Sequence, residues 1–402
     1  MDARALAALA ANPGCRRRAL LDGAGVDKGA LARALGAPAA FGQSQFAHQR
    51  GNSFEARVKA DRGEELLRLL HERLRDGSAA PEPGAAATPD LTATGPQGRT
   101  ARTALALREA TAAGRWALLD HPMVSLDVAG SPAFLEPDAV VVHPDGSWTV
   151  IEIKSFPMVD GSADPAKVGA AARQSAVYTL ALERVAALIG EPPEAEKEAQ
   201  DAHNTPATPE TSHTPDTPAT SKTSKTPVRA RVRHDVLLVC PKDFSNVPTA
   251  ELVDVRKQLA VTRRQLTRLT RIEEIAAALP EGITFDLRLT DDGRTPTRPA
   301  EELTAAVDAV DAAYAPECLS TCELAAHCRA RSRAAGAVES LGRGVRGELG
   351  GLTTVEAVLS AALGEAAGPG AEPTGDPAVD ALRRAAALRA EALASHEAAA
   401  CR

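Results

Sequence analysis

Asp138, Glu152 and Lys154 are spaced as three polar groups that meet at one end of a β-hairpin. They lie in "EPDAVVVHPDGSWTVIEIKSF" (136–156), where two apolar runs flank the turn sequence His143–Ser147. With the turn centred on Asp145, Asp138 falls directly across from Glu152. Side chains alternate faces along a strand, so Lys154, two residues on, shares the face of Glu152. A slip of one residue would part Asp138 from the other two. Two carboxylates this close repel one another, and a divalent cation relieves them. Hard oxygen ligands suit Mg²⁺ or Mn²⁺. A lysine beside such an ion can orient or deprotonate a water and stabilise a pentavalent phosphate. That is equipment for metal-assisted phosphodiester hydrolysis. The bland alternative is a surface hairpin with a Glu152–Lys154 salt bridge, since an acid followed two positions later by lysine is common.

A second group is cysteine. "APECLSTCELAAHCRARS" (315–332) places Cys318, Cys322 and Cys328 in a C-x3-C-x5-C run. Three thiols at this density point to a metal. A zinc Cys₄ site is one alternative, although paired C-x2-C knuckles are absent, and buried thiols without metal are another. Cys240 ends an apolar run and reads as a buried thiol, and Cys401 as a free one in the tail.

The elements that must position these groups follow from periodicity. Residues 51–75 read as an amphipathic helix with Phe54, Val58, Leu66, Leu69 and Leu70 on its apolar side. Helices are also predicted over 101–113, 164–189, 249–279 and 300–314. Strands are predicted over 121–128, 138–143, 148–154, 234–240 and 283–289. This order implies an α/β fold, a mixed central sheet flanked by helices. Three stretches read as unstructured: 78–100, the Pro/Thr-rich 191–227 and the Gly/Pro/Ala-rich 364–377. The segments 78–100 and 191–227 would be flexible insertions in one domain over 1–335. Residues 336–402 would be a C-terminal helical tail with a Gly/Pro-rich linker, and its segment 378–400 a tail helix able to dock a partner.

The hairpin resembles the PD-(D/E)XK nuclease superfamily, with Asp138, Glu152 and Lys154 as its motif residues. The resemblance implies a restriction-endonuclease-like core and a first helix that supplies a further acid, matched by Glu55 in "RGNSFEARV". "AARQSAVYTLAL" is similar to the Gln-x-x-x-Tyr motif of the RecB-like branch, with Gln174 and Tyr178 one turn apart on one helix face. In that branch the first helix shows a histidine. Glu55 departs from this, and His48 is expected before the helix. The cysteine run looks like the C-terminal group of RecB-like nucleases with an iron–sulfur cluster, such as CRISPR-associated and AddB-type enzymes. These families take a fourth cysteine from far upstream, followed by basic residues, and Cys15 in "NPGCRRRALL" fits. The first spacing, C-x3-C, departs from the usual C-x2-C. The implied cofactor is a [4Fe–4S] cluster held by Cys15, Cys318, Cys322 and Cys328, joining the two ends of the domain. The resemblance further implies DNA as the substrate, a helicase or another nuclease-complex subunit as a partner, and a setting in DNA repair, recombination or defence.

Composition limits the other classes. Of 402 residues, 44% are hydrophobic and only 3% aromatic, so the core must be built from Ala, Leu and Val. The net charge is −7, so any nucleic-acid surface must be local. One such surface is "RKQLAVTRRQLTRLTRIEE", carrying Arg256, Lys257, Arg263, Arg264, Arg268 and Arg271, with Arg264, Arg268 and Arg271 spaced to share a helix face. A solvated surface helix is its alternative. Arg229, Arg231 and Arg233 add charge before a strand. No aromatic stacking platform and no Walker A loop are visible. No membrane span or secretory signal is seen, and the expected location is cytoplasmic. The rival to a nuclease is a catalytically inactive nucleic-acid-binding or scaffold protein that keeps the fold.

Overall fold

The computed structural model describes residues 1–38, 45–190, 229–291, 295–364 and 374–400. It divides into two compact units. The first comprises Met1–Ala7, Gln43–Val128 and Pro132–Thr267, and the second Ala8–Gly42, Ala129–Ser131 and Arg268–Arg402. Among the described residues no helix is long and apolar enough to cross a membrane.

Helices come first in the chain: α1 (Ala3–Ala11), α2 (Arg16–Gly23), α3 (Lys28–Ala34), α4 (Gln45–Val58), α5 (Ala60–Leu74) and α6 (Gly95–Ala113). Five strands follow, β1 (Ala117–Asp120), β2 (Val124–Val128), β3 (Ser131–Leu135), β4 (Ala139–Val142) and β5 (Ser147–Ile153). The long helix α7 (Pro165–Gly190) precedes β6 (Arg231–Val232), β7 (Asp235–Pro241) and β8 (Pro248–Asp254). The first unit ends with α8 (Arg256–Leu266). Its sheet runs β1-β4-β5-β7-β8, with β6 also paired to β5. β1/β4, β4/β5 and β7/β8 are antiparallel, whereas β5/β7 is parallel. A parallel pair requires a crossover, and α7 lies on that connection. The fold is therefore α/β with a mixed sheet and helices packed on it.

The register of the central hairpin is the predicted one. Ala139 pairs with Ile151 and Val142 with Trp148, so continuing the ladder by one residue sets Asp138 across from Glu152. Gly146 takes φ 79° in the turn, and the Asp145 carboxylate accepts from Ser147 N at 2.9 Å. One face of the hairpin, Ala139, Val141, Ile151 and Ile153, is buried against Phe54, Val58, Leu66 and Leu70 of α4 and α5. Side-chain alternation turns Asp138 and Glu152 to the opposite face. There Trp148, fully buried, donates Nε1–H to Thr111 Oγ1 of α6 at 2.9 Å.

The structure corrects several sequence expectations. The single helix over 51–75 is two helices, because Asp61, Arg62 and Gly63 adopt left-handed backbone. Gly63 has φ 74°, and a Cβ there would lie 2.2 Å from Leu118 Cδ2, so only glycine permits the close approach to β1. His48 lies within α4, not before it. Residues 78–100 are not a free insertion: Ala87 bridges the backbone beside β1, Leu91 is buried, and α6 begins at Gly95. The strand predicted over 121–128 is a turn followed by β2. The helix predicted over 249–279 opens as strand β8, because Ala250 and Leu252 alternate into the core beside Leu237 and Val239. This is tertiary packing overriding helical periodicity. Among the described residues the strand predicted over 283–289 finds no ladder beyond a single bridge from Leu289 to Pro296. The 191–227 insertion lies outside the described residues, as do 365–373 of the 364–377 segment and Cys401.

The second unit packs α2 and α3 against α9 (Ile272–Ala277), α10 (Ala300–Asp308) and α11 (Ala325–Ala334). Leu21, Leu31, Leu303, Val307 and Leu324 form its core, with Cys322 inside it and Cys318 and Cys328 at its margin. Helices α12 (Arg343–Glu348), α13 (Val355–Leu363) and α14 (Pro377–Ala400) follow, the last covering the predicted tail helix.

Candidate functional site

Asp138 and Glu152 are held by the ladder just described, and both are desolvated. The Asp138 Oδ2 accepts from the backbone N of Ile153 at 2.6 Å, which fixes it across the strand end. Glu152 is 1% exposed. Its Oε1 forms an ion pair with Lys154, the closest cation. Lys154 and Ser175 both approach the carboxylate and favour its charged form, but they do not outweigh its burial. A buried carboxylate with so few donors is costly, because little replaces the water it has lost.

Electrostatics follow from this geometry. Burial, only partly offset by the Lys154 ammonium and reinforced by Asp138, pushes the Glu152 carboxyl up to about 7. Burial also raises Asp138, against the pull of Lys154. Lys154 is drawn down by burial, yet Glu152 and then Asp138 hold it above the usual lysine range. The three groups thus form one coupled set with an excess of carboxylate over ammonium.

The α7 residues complete the Lys154 side. Lys154 Nζ donates to Gln174 Oε1 at 3.4 Å, and Gln174 Nε2 donates to Tyr178 OH at 3.0 Å. Tyr178, 4% exposed, donates in turn to the Glu136 carbonyl at 3.1 Å. One turn of helix therefore ties the lysine to the chain just before Asp138.

Glu55 lies on α4 within electrostatic reach of Asp138. Its Oε1 is 2.6 Å from Lys59 Nζ and 3.0 Å from His121 Nε2. The hydrogen bond with His121, helped by Lys59 and opposed by burial, holds Glu55 down to about 2. The His121 ring is raised by the same bond. Lys59, Asp120 and His121 were not singled out by sequence reasoning. Lys59 had one available signal, its i, i+4 spacing from Glu55. Asp120 and His121 come from the end of β1 and the turn after it, where His121 takes φ 44°. A cavity of about 400 Å³ adjoins them, lined also by Leu91, Thr92 and Arg99.

The cysteines come together in the second unit. Cys15 precedes α2, Cys318 and Cys322 are joined by a backbone bond from Cys322 N to Cys318 O of 2.8 Å, and Cys328 lies on α11. Each of Cys318, Cys322 and Cys328 is close enough to Cys15 to feel its charge. Burial raises all three, Cys322 to about 12. Asn12 Nδ2 donates to Cys318 Sγ at 3.5 Å and Arg17 Nη1 to Cys328 Sγ at 3.2 Å. Four free thiols gather here, two of them accepting hydrogen bonds and one beside a buried guanidinium. Among the described residues no group of three His, Cys, Asp or Glu side chains is placed to hold a metal ion. Cys240 is fully buried at the end of β7, as expected of a core thiol.

The basic surface is not as predicted. Helix α8 ends at Leu266, so Arg268 and Arg271 cannot share its face with Arg264. Arg263 pairs with Glu183, Arg256 with Asp254 and Arg271 with Glu273. Arg231 pairs with Asp145, and Arg233 with Asp76 and Asp145. These partners neutralise much of the charge that sequence spacing suggested. Compared with protein-family models, curated proteins and solved structures, the chain matches none.

Proposed function

We propose that this protein is a metal-dependent phosphodiesterase acting on DNA, with a restriction-endonuclease-like core of the RecB-like PD-(D/E)XK type. The observation that carries this reading is Glu152, a fully buried carboxylate offset by the single ammonium of Lys154 and set across the ladder from a second, half-buried carboxylate. One ammonium does not neutralise two desolvated acids, whereas a divalent cation takes their oxygens as ligands.

Asp138 and Glu152 would hold Mg²⁺ or Mn²⁺. Oε1 of Glu55 is committed to Lys59 and His121, so its contribution to that ion falls to the other oxygen. Such an ion supplies Lewis acidity and an acidified water. Lys154 orients that water and stabilises charge on the phosphate, being charged and fixed by Glu152 and Gln174. Gln174 and Tyr178 keep the lysine aimed by linking it to the Glu136 carbonyl. The four cysteines would hold a [4Fe–4S] cluster that cross-links distant parts of the chain, with Zn²⁺ as the alternative occupant. Partner helicases or other nuclease subunits, and a role in repair, recombination or defence, follow from the same reading.

The test is cleavage of end-labelled single- and double-stranded DNA by anaerobically purified protein in Mg²⁺ or Mn²⁺, beside Glu152→Gln. Metal-dependent cleavage by the wild type, lost in the variant, is expected. No cleavage by the wild type with either ion, or equal cleavage by the variant, overturns the reading.

A further inference from the structure

Lys59 occupies an unusual position for a lysine. Its Nζ lies 2.6 Å from Glu55 Oε1, 2.7 Å from Asp120 Oδ1 and 2.8 Å from His121 Nε2, and its side chain is 12% exposed. Each of these three atoms is a common metal ligand. Two of their mutual distances fall within the reach of one ion's ligand shell. Glu55 Oε1 and His121 Nε2 are 3.0 Å apart, and His121 Nε2 and Asp120 Oδ1 are 4.0 Å apart. Ligands at about 2.1 Å in an octahedral shell stand about 3.0 Å apart when adjacent and about 4.2 Å when opposite.

The hydrogen bonding of this group is also frustrated. If His121 Nε2 accepts from Lys59, its lone pair cannot face Lys59 and also satisfy Glu55. If Nε2 carries a proton for Glu55, it opposes the ammonium 2.8 Å away. One edge of the triangle is unfavourable in either tautomer. Glu55 and Lys59 both lie within electrostatic reach of Asp138.

We infer that Lys59 is a tethered cation that takes the place of a second divalent ion, leaving the protein with one divalent ion at Asp138 and Glu152 while Glu55, Asp120 and His121 surround the ammonium. This deepens, and for its first ion rests on, the reading of Asp138 and Glu152 as metal ligands. The donor set of two carboxylates and one imidazole suits Mn²⁺ better than Mg²⁺. Lys59 thereby fixes the charge beside the reaction centre without depending on the free metal concentration.

The experiment counts Mn²⁺ by electron paramagnetic resonance of the full-length protein, titrated with Mn²⁺ in the absence of DNA. Wild type should bind one ion in the carboxylate site and Glu152→Gln should lose it. Lys59→Met should bind one ion more than wild type. Lys59→Met/His121→Gln should return to the wild-type count, the added site weakening at least tenfold. Lys59→Gln, which keeps a donor for Glu55, carries the same comparison if the methionine variant does not fold. An unchanged count in the Lys59 variants overturns the inference, as does a second ion in the wild type that His121→Gln removes. Absence of any ion from the wild type overturns the Asp138–Glu152 reading instead. A gain of one ion in Lys59→Met over that zero would still support the tethered cation.

Discussion

Replacing Glu152 with glutamine should make the metal-free protein more stable while destroying its proposed activity. The Glu152 carboxyl stands at about 7 when folded, against an ordinary value of 4.5. Each unit of difference is worth 1.36 kcal/mol, so ionising this group in the fold costs about 3 kcal/mol relative to the unfolded chain. The sign is that of a raised acid. The stabilisation is fully present below 4.5, where both states are protonated, and is lost as pH rises through 7. Glutamine keeps the shape and removes the charge, but it also leaves Lys154 with less compensation, an offset of about 1 kcal/mol. The net gain expected at pH 8 is about 2 kcal/mol, falling toward zero or below at pH 5. Both tryptophans, Trp116 and Trp148, lie in the first unit, so urea unfolding followed by tryptophan fluorescence in EDTA reads this unit alone. Adding Mn²⁺ should stabilise the wild type and leave the variant unmoved. A variant no more stable than wild type at pH 8, or a difference equal at pH 5 and pH 8, would refute the account of Glu152 as an uncompensated buried charge.

Other outcomes follow from neighbouring groups. Lys154→Ala should abolish cleavage with the unit still folded by tryptophan fluorescence; undiminished metal-dependent cleavage would remove Lys154 from the site. Tyr178→Phe withdraws the hydroxyl that joins Gln174 to the Glu136 carbonyl and should cost about 1 kcal/mol of stability and roughly tenfold in turnover, with binding of DNA unchanged. Cys322→Ala should lose bound iron and lower solubility, and unchanged iron content would exclude this ligand. His143 is held down to about 4 by burial, so its neutral form stabilises the fold above pH 6.5, and that contribution is lost as pH falls through 4. The loss amounts to about 3 kcal/mol and opposes the Glu152 slope, so it is read as the flattening of acid unfolding in His143→Gln.

The hairpin was legible because its signals agree. Alternating valines, a Pro-Asp-Gly turn and polar groups two residues apart all specify one register, and any slip would bury the wrong face. Gln174 and Tyr178 were legible because a four-residue helical spacing survives in any helix. Residues 249–255 were not, since Ala250 and Leu252 share a strand face while Leu252, Val255 and Leu259 share a helix face, so the short run fits either. The choice is made by β7, whose seven residues need a partner on the open edge. The break in 51–75 was equally hidden, because Gly63 signals left-handed backbone only once Leu118 is known to press against it.

The least legible part of the site is the part that comes from a turn. Asp120 and His121 carry no motif, and their relation to Glu55 exists only because the left-handed backbone at His121 swings the ring toward α4. Once there, they change the meaning of Glu55. Resemblance alone made Glu55 a further metal ligand, yet in the fold one of its oxygens already faces a lysine and an imidazole. Glu152 differs in that burial outweighs the help of Lys154 and raises it rather than lowering it. Three acids of similar sequence standing thus divide by their surroundings: Asp138 is fixed by a backbone amide, Glu152 is buried against a single lysine, and Glu55 is paired with Lys59 and His121. On the proposed reading, an added cation would go first to Asp138 and Glu152, which share one lysine between them.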